Sequence, residues 1–144
     1  MLPVLLCIDD RSQMLQIRKR SLEPHGFSVV GADSAPRAIS ILEKTTVAAV
    51  LLEYKPEGMD AEAIAFHIKT RFPRQTVILL SAYSEMPERI LWLVDEFVLK
   101  SEPVERLVQL IKGLTSARKS VQSASVVSKP ERHISSRHRV AGGA

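Results

Sequence analysis

The chain has almost none of the residues that staple a small fold together. A single cysteine, Cys7, among 144 residues excludes an internal disulfide and any cysteine-based metal spacing. A reducing compartment, the cytoplasm, fits that usage. No apolar run approaches the roughly 20 residues that a membrane-spanning helix needs, so no span is expected. The opening Leu2-Pro3-Val4-Leu5-Leu6-Cys7-Ile8 is too short for the core of a signal peptide. It lacks a basic flank and runs straight into Asp9-Asp10, so secretion is not expected. The six glycines nowhere form G-x-G-x-x-G, and no P-loop lysine motif occurs, which argues against dinucleotide and nucleotide cradles. Aromatic residues are only 5% of the chain, and none lies beyond residue 114 to stack on bases. No internal repeat is visible.

What is present is an ordinary globular composition, 45% apolar and 25% charged, with length for one domain and a single core. The formal charge of +4 is unevenly placed. Residues 1–114 hold 14 Lys/Arg against 15 Asp/Glu, whereas residues 115–144 hold 6 against one. The second stretch also carries seven serines, Pro130 and Gly142-Gly143, with no apolar periodicity. It reads as a disordered basic tail, 115–144, appended to a folded unit, 1–114. His133 and His138 in that tail read as surface residues rather than a metal site.

The folded part alternates short apolar runs with amphipathic stretches. Pro3 to Ile8 reads as a strand. Ser12 is placed to cap a helix running to about Glu23, stopped by Pro24 and Gly26. Phe27–Gly31 is a second strand, and Ala35, Ala38, Ile39 and Leu42 form a helical stripe. Ala48–Leu52 is a third strand ending at Glu53. Ala61, Ile64, Ala65 and Ile68 repeat the helical stripe behind an Asp60 cap. Thr76–Leu80 is a fourth strand, Pro87–Val94 a short helix and Phe97–Leu99 a fifth strand. Val104, Leu107, Val108 and Ile111 give a last helix, closed by Gly113. Five strand–helix units imply a parallel sheet covered on both faces, a three-layer α/β sandwich.

In such sheets, sites form at the carboxyl ends of the strands. Those ends carry Asp9 and Asp10, then Glu53, Ser81 and Lys100. Two carboxylates about 4 Å apart repel by roughly 4 kcal/mol at an effective dielectric of 20. Three together therefore need a cation, a lysine or a raised pKa. Oxygen-only sites of this kind suit Mg²⁺. A lysine and a small hydroxyl opposite that metal suit a phosphoryl group.

The segments Val4-Leu5-Leu6-Cys7-Ile8-Asp9-Asp10, Val50-Leu51-Leu52-Glu53 with Gly58-Met59-Asp60, Val77-Ile78-Leu79-Leu80-Ser81-Ala82 and Phe97-Val98-Leu99-Lys100 occur in that order. Together they resemble the receiver domain of two-component response regulators, including the stand-alone chemotaxis type, over about residues 3–113. The resemblance implies a flavodoxin-like (βα)5 fold with strand order 2-1-3-4-5. It implies Mg²⁺ held by Asp9, Asp10 and the carboxylate at position 53, and a phosphoryl group met by Ser81 and Lys100. It also implies a switch involving Ser81 and Phe97, read by partners on the face of the fourth helix, fifth strand and fifth helix.

The chain departs from that pattern where it matters. Glu53 stands at the phosphoaccepting aspartate, with its carboxylate one methylene further out. A misplacement of about 1 Å can cost on the order of 100-fold in a positioned reaction. Glu53 is thus expected to accept phosphoryl poorly, and to supply one negative charge where a phosphoryl supplies roughly 1.5 to 2. Lys55 falls where a backbone carbonyl would face the metal, and its amine is able to neutralise the acids. Pro56 lies three residues after Glu53 rather than four, Ser101-Glu102-Pro103 replaces a Lys-Pro step, and the stretch from Ser81 to Phe97 is short.

Simpler readings stand beside these. Asp9-Asp10 alone could be a strand-to-helix turn, Ser81 a strand-end cap and Phe97 plain core. Cys7 reads as buried in its strand, Trp92 as core before interface anchor, and His25 and His67 as surface or turn residues. A haloacid-dehalogenase-type enzyme using Asp9 would need a second acid at position 11, where Arg11 stands. Nucleic-acid binding through the tail is the other alternative. The expectation is a receiver-like signalling domain without enzymatic activity. It would work through a sensor histidine kinase or a downstream signalling protein, with a homodimer by the same face left open.

Overall fold

The computed structural model describes residues 1–55 and 57–124, with 117–124 as backbone. Five parallel strands form one sheet: β1 (Val4–Ile8), β2 (Ser28–Ala32), β3 (Ala49–Tyr54), β4 (Val77–Ser81) and β5 (Glu96–Leu99). Their spatial order is β2-β1-β3-β4-β5, the flavodoxin-like order. Helices α1 (Ser12–Leu22), α2 (Ala35–Lys44), α3 (Ala61–Arg71), α4 (Glu88–Leu91) and α5 (Val104–Ala124) connect and flank the strands, with a 3-10 turn at Glu23–His25.

The sheet buries both faces because its three central strands are apolar up to their carboxyl ends, and period-two alternation divides them between two cores. Leu6, Ile8, Val50, Leu52, Val77 and Leu79 pack with residues of α2, α3 and α4. Leu5, Cys7, Ala49, Leu51, Leu80 and Val98 pack with Leu22 of α1 and with Leu107, Val108 and Ile111 of α5. This division decides which strand-end side chains can meet. Glu53, two residues after Leu51, belongs to the α1/α5 face. Ser81, two residues after Leu79, belongs to the opposite face.

Several boundaries differ from the sequence expectation for identifiable reasons. Ser12 is the first helical residue rather than the cap; Arg11 caps without a side-chain bond, and its N–H donates instead to Asp9 Oδ1 at 3.0 Å. Asp60 does cap α3, accepting from Ala63 N–H at 3.0 Å. α4 is cut to Glu88–Leu91, because Asp95 N–H already donates to Val77 O at 2.8 Å to open β5. Trp92 is 48% exposed, so it is not the core residue expected.

Gly113 does not end the last helix. The left-handed glycines among the described residues are Gly26 and Gly58, so Gly113 is an interior helical residue, a cost of about 1 kcal/mol relative to alanine and not a stop. Thr115 Oγ1 donates back to Ile111 O at 2.9 Å as α5 continues to Ala124. The expected disordered tail is therefore helical over 115–124. Its remainder, including His133 and His138, lies outside the described residues, as does Pro56.

One buried acid that the sequence reading passed over ties the sheet edge to α3. Asp95 Oδ2 accepts from Val77 N–H at 2.8 Å and from Lys69 Nζ at 3.0 Å. Leu52 is wholly buried at the sheet centre. Leu52→Ala should cost about 2–5 kcal/mol in urea unfolding, through lost burial and an unfilled cavity.

Candidate functional site

The carboxyl ends of β1, β3 and β5 converge on the α1/α5 side. Glu53 is the last inward residue of β3 on that face, paired in register with Leu80. It is only 3% exposed, so its charge needs partners. Two cations supply them. Lys100 Nζ meets Oε2 in a direct ion pair, and Arg18 Nη2 lies 3.5 Å from Oε1. Lys100 is placed by its own backbone, whose N–H donates to Ser81 O at 2.8 Å to extend β4–β5 pairing past Leu99.

Asp9 and Asp10 form a second charged group at the end of β1. Asp9 N–H donates to Ala32 O at 3.1 Å, which fixes the strand end against β2. Lys55, just past β3, pairs its ammonium with Asp10 Oδ1 and lies 3.6 Å from Asp9 Oδ1. The half-exposed Arg11 also approaches Asp9 Oδ1 at 3.6 Å. The Lys55 ammonium, hydrogen-bonded to Asp10, holds that carboxyl below the usual carboxylate range, with the Met59 backbone adding to the effect. Asp9 Oδ2 is buried without a hydrogen-bond partner among the described residues. An open cleft of about 490 Å³ lies over this group, lined by Asp10, Arg11, Lys55, Glu57, Gly58 and Tyr83.

The expected residues are thus brought to one end of the sheet but sorted into two sets. Glu53 meets Lys100 and Arg18. Asp9 and Asp10 meet Lys55, whose neutralising role the sequence foreshadowed. Ser81 joins neither set. Its hydroxyl donates to Tyr83 O at 2.9 Å and accepts from Tyr83 N–H at 2.8 Å, the strand-end cap that the sequence also allowed. Phe97 is half-buried and packs against the α2/α3/α4 core.

The three expected metal ligands do not form one donor set. Among the described residues no three acid, histidine or cysteine side chains are grouped as a metal would require. Both oxygens of Glu53 face cations on α1 and β5. Among the described residues the buried oxygens without a hydrogen bond are Glu53 Oε2, which faces the Lys100 ammonium, and Asp9 Oδ2, which stands beside an aspartate already paired with an ammonium. As arranged, these residues do not fit a resident Mg²⁺.

Arg18 is the functional residue that sequence reasoning missed. It lies three residues after Leu15 and four before Leu22, both packed on the α1/α5 core, so it sits on the inward stripe of α1. The signal was a cation at an apolar position, masked by its neighbours Lys19 and Arg20.

A flavodoxin-like sheet with acids and lysines gathered at its strand ends defines a class of α/β domain. The chain matches the family profile of the response regulator receiver domain over residues 5–112. It belongs to that family, whose members are signalling domains of two-component systems. A similar curated protein is the transcriptional regulatory protein GlrR of Escherichia coli K12, 28% identical over 86 residues. That alignment covers 60% of this chain and 19% of GlrR, so the chain spans only a small part of that relative's length. Among solved structures, a CheY-like receiver domain from Methanospirillum hungatei JF-1 superposes with a TM-score of 0.73 at 20% identity, covering 83% of this chain and 98% of that one. The response regulator TrrA from Thermotoga maritima, solved with Mg(2+)-BeF, superposes with a TM-score of 0.68 at 24% identity, covering 78% and 99%. At these identities the structures establish the shared fold.

Two outcomes test this geometry. Lys100→Met leaves the buried Glu53 charge with Arg18 alone and should cost about 3 kcal/mol in urea unfolding. Adding Glu53→Gln should return more than half of that loss, a coupling that a double-mutant cycle reads directly. Cys7, beneath the site, has its thiol pushed up to about 12 by burial. At about pH 8 it should resist alkylation in the native protein and react once urea unfolds it. Because the folded value is raised, the stability this thiol contributes is complete below its ordinary value of 9.0 and is lost as pH climbs toward about 12.

Proposed function

We propose that the domain is a receiver-like signalling module that works through protein contacts and carries a permanent carboxylate where its family carries a phosphoaccepting aspartate. The observation behind this reading is the pairing of both Glu53 oxygens with Lys100 and Arg18. A nucleophilic carboxylate needs a free oxygen aimed at phosphorus; here both oxygens are engaged and sealed from solvent. The same pairing gives Lys100 an anionic partner without a donor, a partial likeness of the phosphorylated pocket at one negative charge instead of roughly 1.5 to 2.

In this reading Ser81 and Phe97 keep their places as the phosphoryl-binding and switch positions. Ser81 would have to release the Tyr83 backbone to reach a phosphoryl group. The receiver-like unit is residues 1–114, with 115–144 appended and its stretch 115–124 extending α5. The partner is a sensor histidine kinase or a downstream signalling protein, and a second copy of the chain could use the same face. A cytoplasmic setting follows from the signalling role. Among the described residues no helix is long and apolar enough to cross a membrane. Metal-dependent phosphotransfer from Asp9 is not favoured, since Asp9 is held by Arg11 and Lys55.

The test is intact mass after incubation with acetyl phosphate and Mg²⁺, beside Glu53→Asp. The parent should gain no phosphoryl mass, and the shorter carboxylate should gain it. Labelling of the parent would overturn the reading. Labelling of neither would show that the pocket has lost more than its acceptor. Glu53→Gln should also weaken partner binding; unchanged binding would remove the likeness to the phosphorylated state.

A further inference from the structure

The Asp9/Asp10 pair lies on the open side of the pocket, yet its charge is already answered from within the chain. Lys55 reaches it from the end of β3 with its ammonium on Asp10 Oδ1 and 3.6 Å from Asp9 Oδ1. That position is between the two carboxylates, where a bridging cation would stand. The Lys55 side chain is only 20% exposed, so it lies along the cleft wall rather than in solvent.

The neighbouring loop is shaped around this pair. Gly58 has φ +95°, and a Cβ there would stand 2.7 Å from Asp10 Oδ2 and 3.6 Å from Lys55 Cε. A side chain at position 58 would therefore press on the Asp10 carboxylate while making an ordinary contact with Lys55. The third acid that could join a metal, Glu53, has both oxygens turned to Arg18 and Lys100.

We propose that the Lys55 ammonium is the resident cation of the Asp9/Asp10 pair, so that a divalent ion binds this pocket only by displacing it. Lys55 is then a tethered competitor with an effective concentration fixed by its place on the chain. The ammonium also differs from a metal in kind. It offers three N–H donors and one charge, neutralising the pair without the octahedral oxygen shell that Mg²⁺ demands. The inference does not depend on whether Glu53 accepts a phosphoryl group.

The probe is Mn²⁺ alone, its free concentration read by electron paramagnetic resonance in titrations of the whole chain. Lys55→Met should bind Mn²⁺ at least tenfold more tightly than the parent, because Asp10 then lacks its cation and Asp9 keeps only the half-exposed Arg11 at 3.6 Å. Lys55→Gln should do the same, which guards against a folding defect peculiar to one variant. Lys55→Arg, which retains the charge, should remain within about threefold of the parent, a window well inside the tenfold step. Asp10→Asn in the Lys55→Met background should erase the gain. The proposal is overturned if Lys55→Met and Lys55→Gln bind no more tightly than the parent, or if the gain survives Asp10→Asn. A parent labelled by acetyl phosphate would overturn the proposed function while leaving this result standing.

Discussion

The buried charge of Glu53 is the constraint on which the rest of the site depends. Taking a carboxylate out of water costs several kcal/mol even after relaxation, and only close, well-placed cations recover it. Two elements distant in sequence deliver them: Arg18 from the inward stripe of α1, and Lys100 from the end of β5. Both must reach the same face of the sheet, and the alternation of β3 determines which face that is. A one-residue slip in β3 would turn Glu53 toward the α2/α3 core and strand both cations. The central, doubly buried position of β3 between β1 and β4 prevents such a slip, because every inward residue of that strand already has its packing partners. The apolar core thus holds the ionic pocket in register, and the buried charge of the pocket in turn draws on both cations.

Much of this was legible in the sequence because parallel sheets impose simple rules. Apolar runs such as Val77–Leu80 cannot be surface strands, and their residues recur at the positions that a doubly covered sheet requires. The acids and the lysine after those runs then fall at one end of the sheet by topology alone. What could not be read was the sorting of those residues once gathered. Asp9, Glu53, Ser81 and Lys100 share an end of the sheet, but Ser81 has the other parity and turns to the Tyr83 backbone. Strand-end position is a property of chain order, whereas facing is a property of register, and a shift of one residue in a predicted boundary reverses it. Both β3 and β4 ended later than their apolar runs suggested.

The other surprises share a cause. Arg18 was hidden because three consecutive cations, Arg18-Lys19-Arg20, look like a solvated face; only tertiary packing shows that the first of them points inward. Gly113 looked like a helix terminator because glycine is the usual residue of the left-handed cap, but that inference needs a positive φ, which Gly113 lacks. Trp92 looked like core because it is large and apolar, but the shortness of α4 leaves it at the helix end, half in solvent. In each case composition suggested a role and local geometry assigned another.

The charge balance of the pocket gives the arrangement its functional sense. Three acids, Asp9, Asp10 and Glu53, stand against three enclosed or half-enclosed cations, Arg18, Lys55 and Lys100, with Arg11 at the rim. A pocket built from three acids and one lysine would be short of positive charge and would draw in a divalent ion and then a phosphoryl group. Here the three acids are matched by three cations before the rim Arg11 is counted. Bringing a doubly charged ion within about 4 Å of the Lys55 ammonium would cost roughly 8 kcal/mol at an effective dielectric of 20 unless the lysine moved away. Adding a phosphoryl group beside Glu53 would place roughly 1.5 to 2 further negative charges against cations already paired. The two additions would compensate each other only if made together and only with the internal ion pairs broken first. Glutamate at position 53 and the presence of Lys55 and Arg18 therefore act in the same direction, toward a pocket whose acids are paired with its own cations.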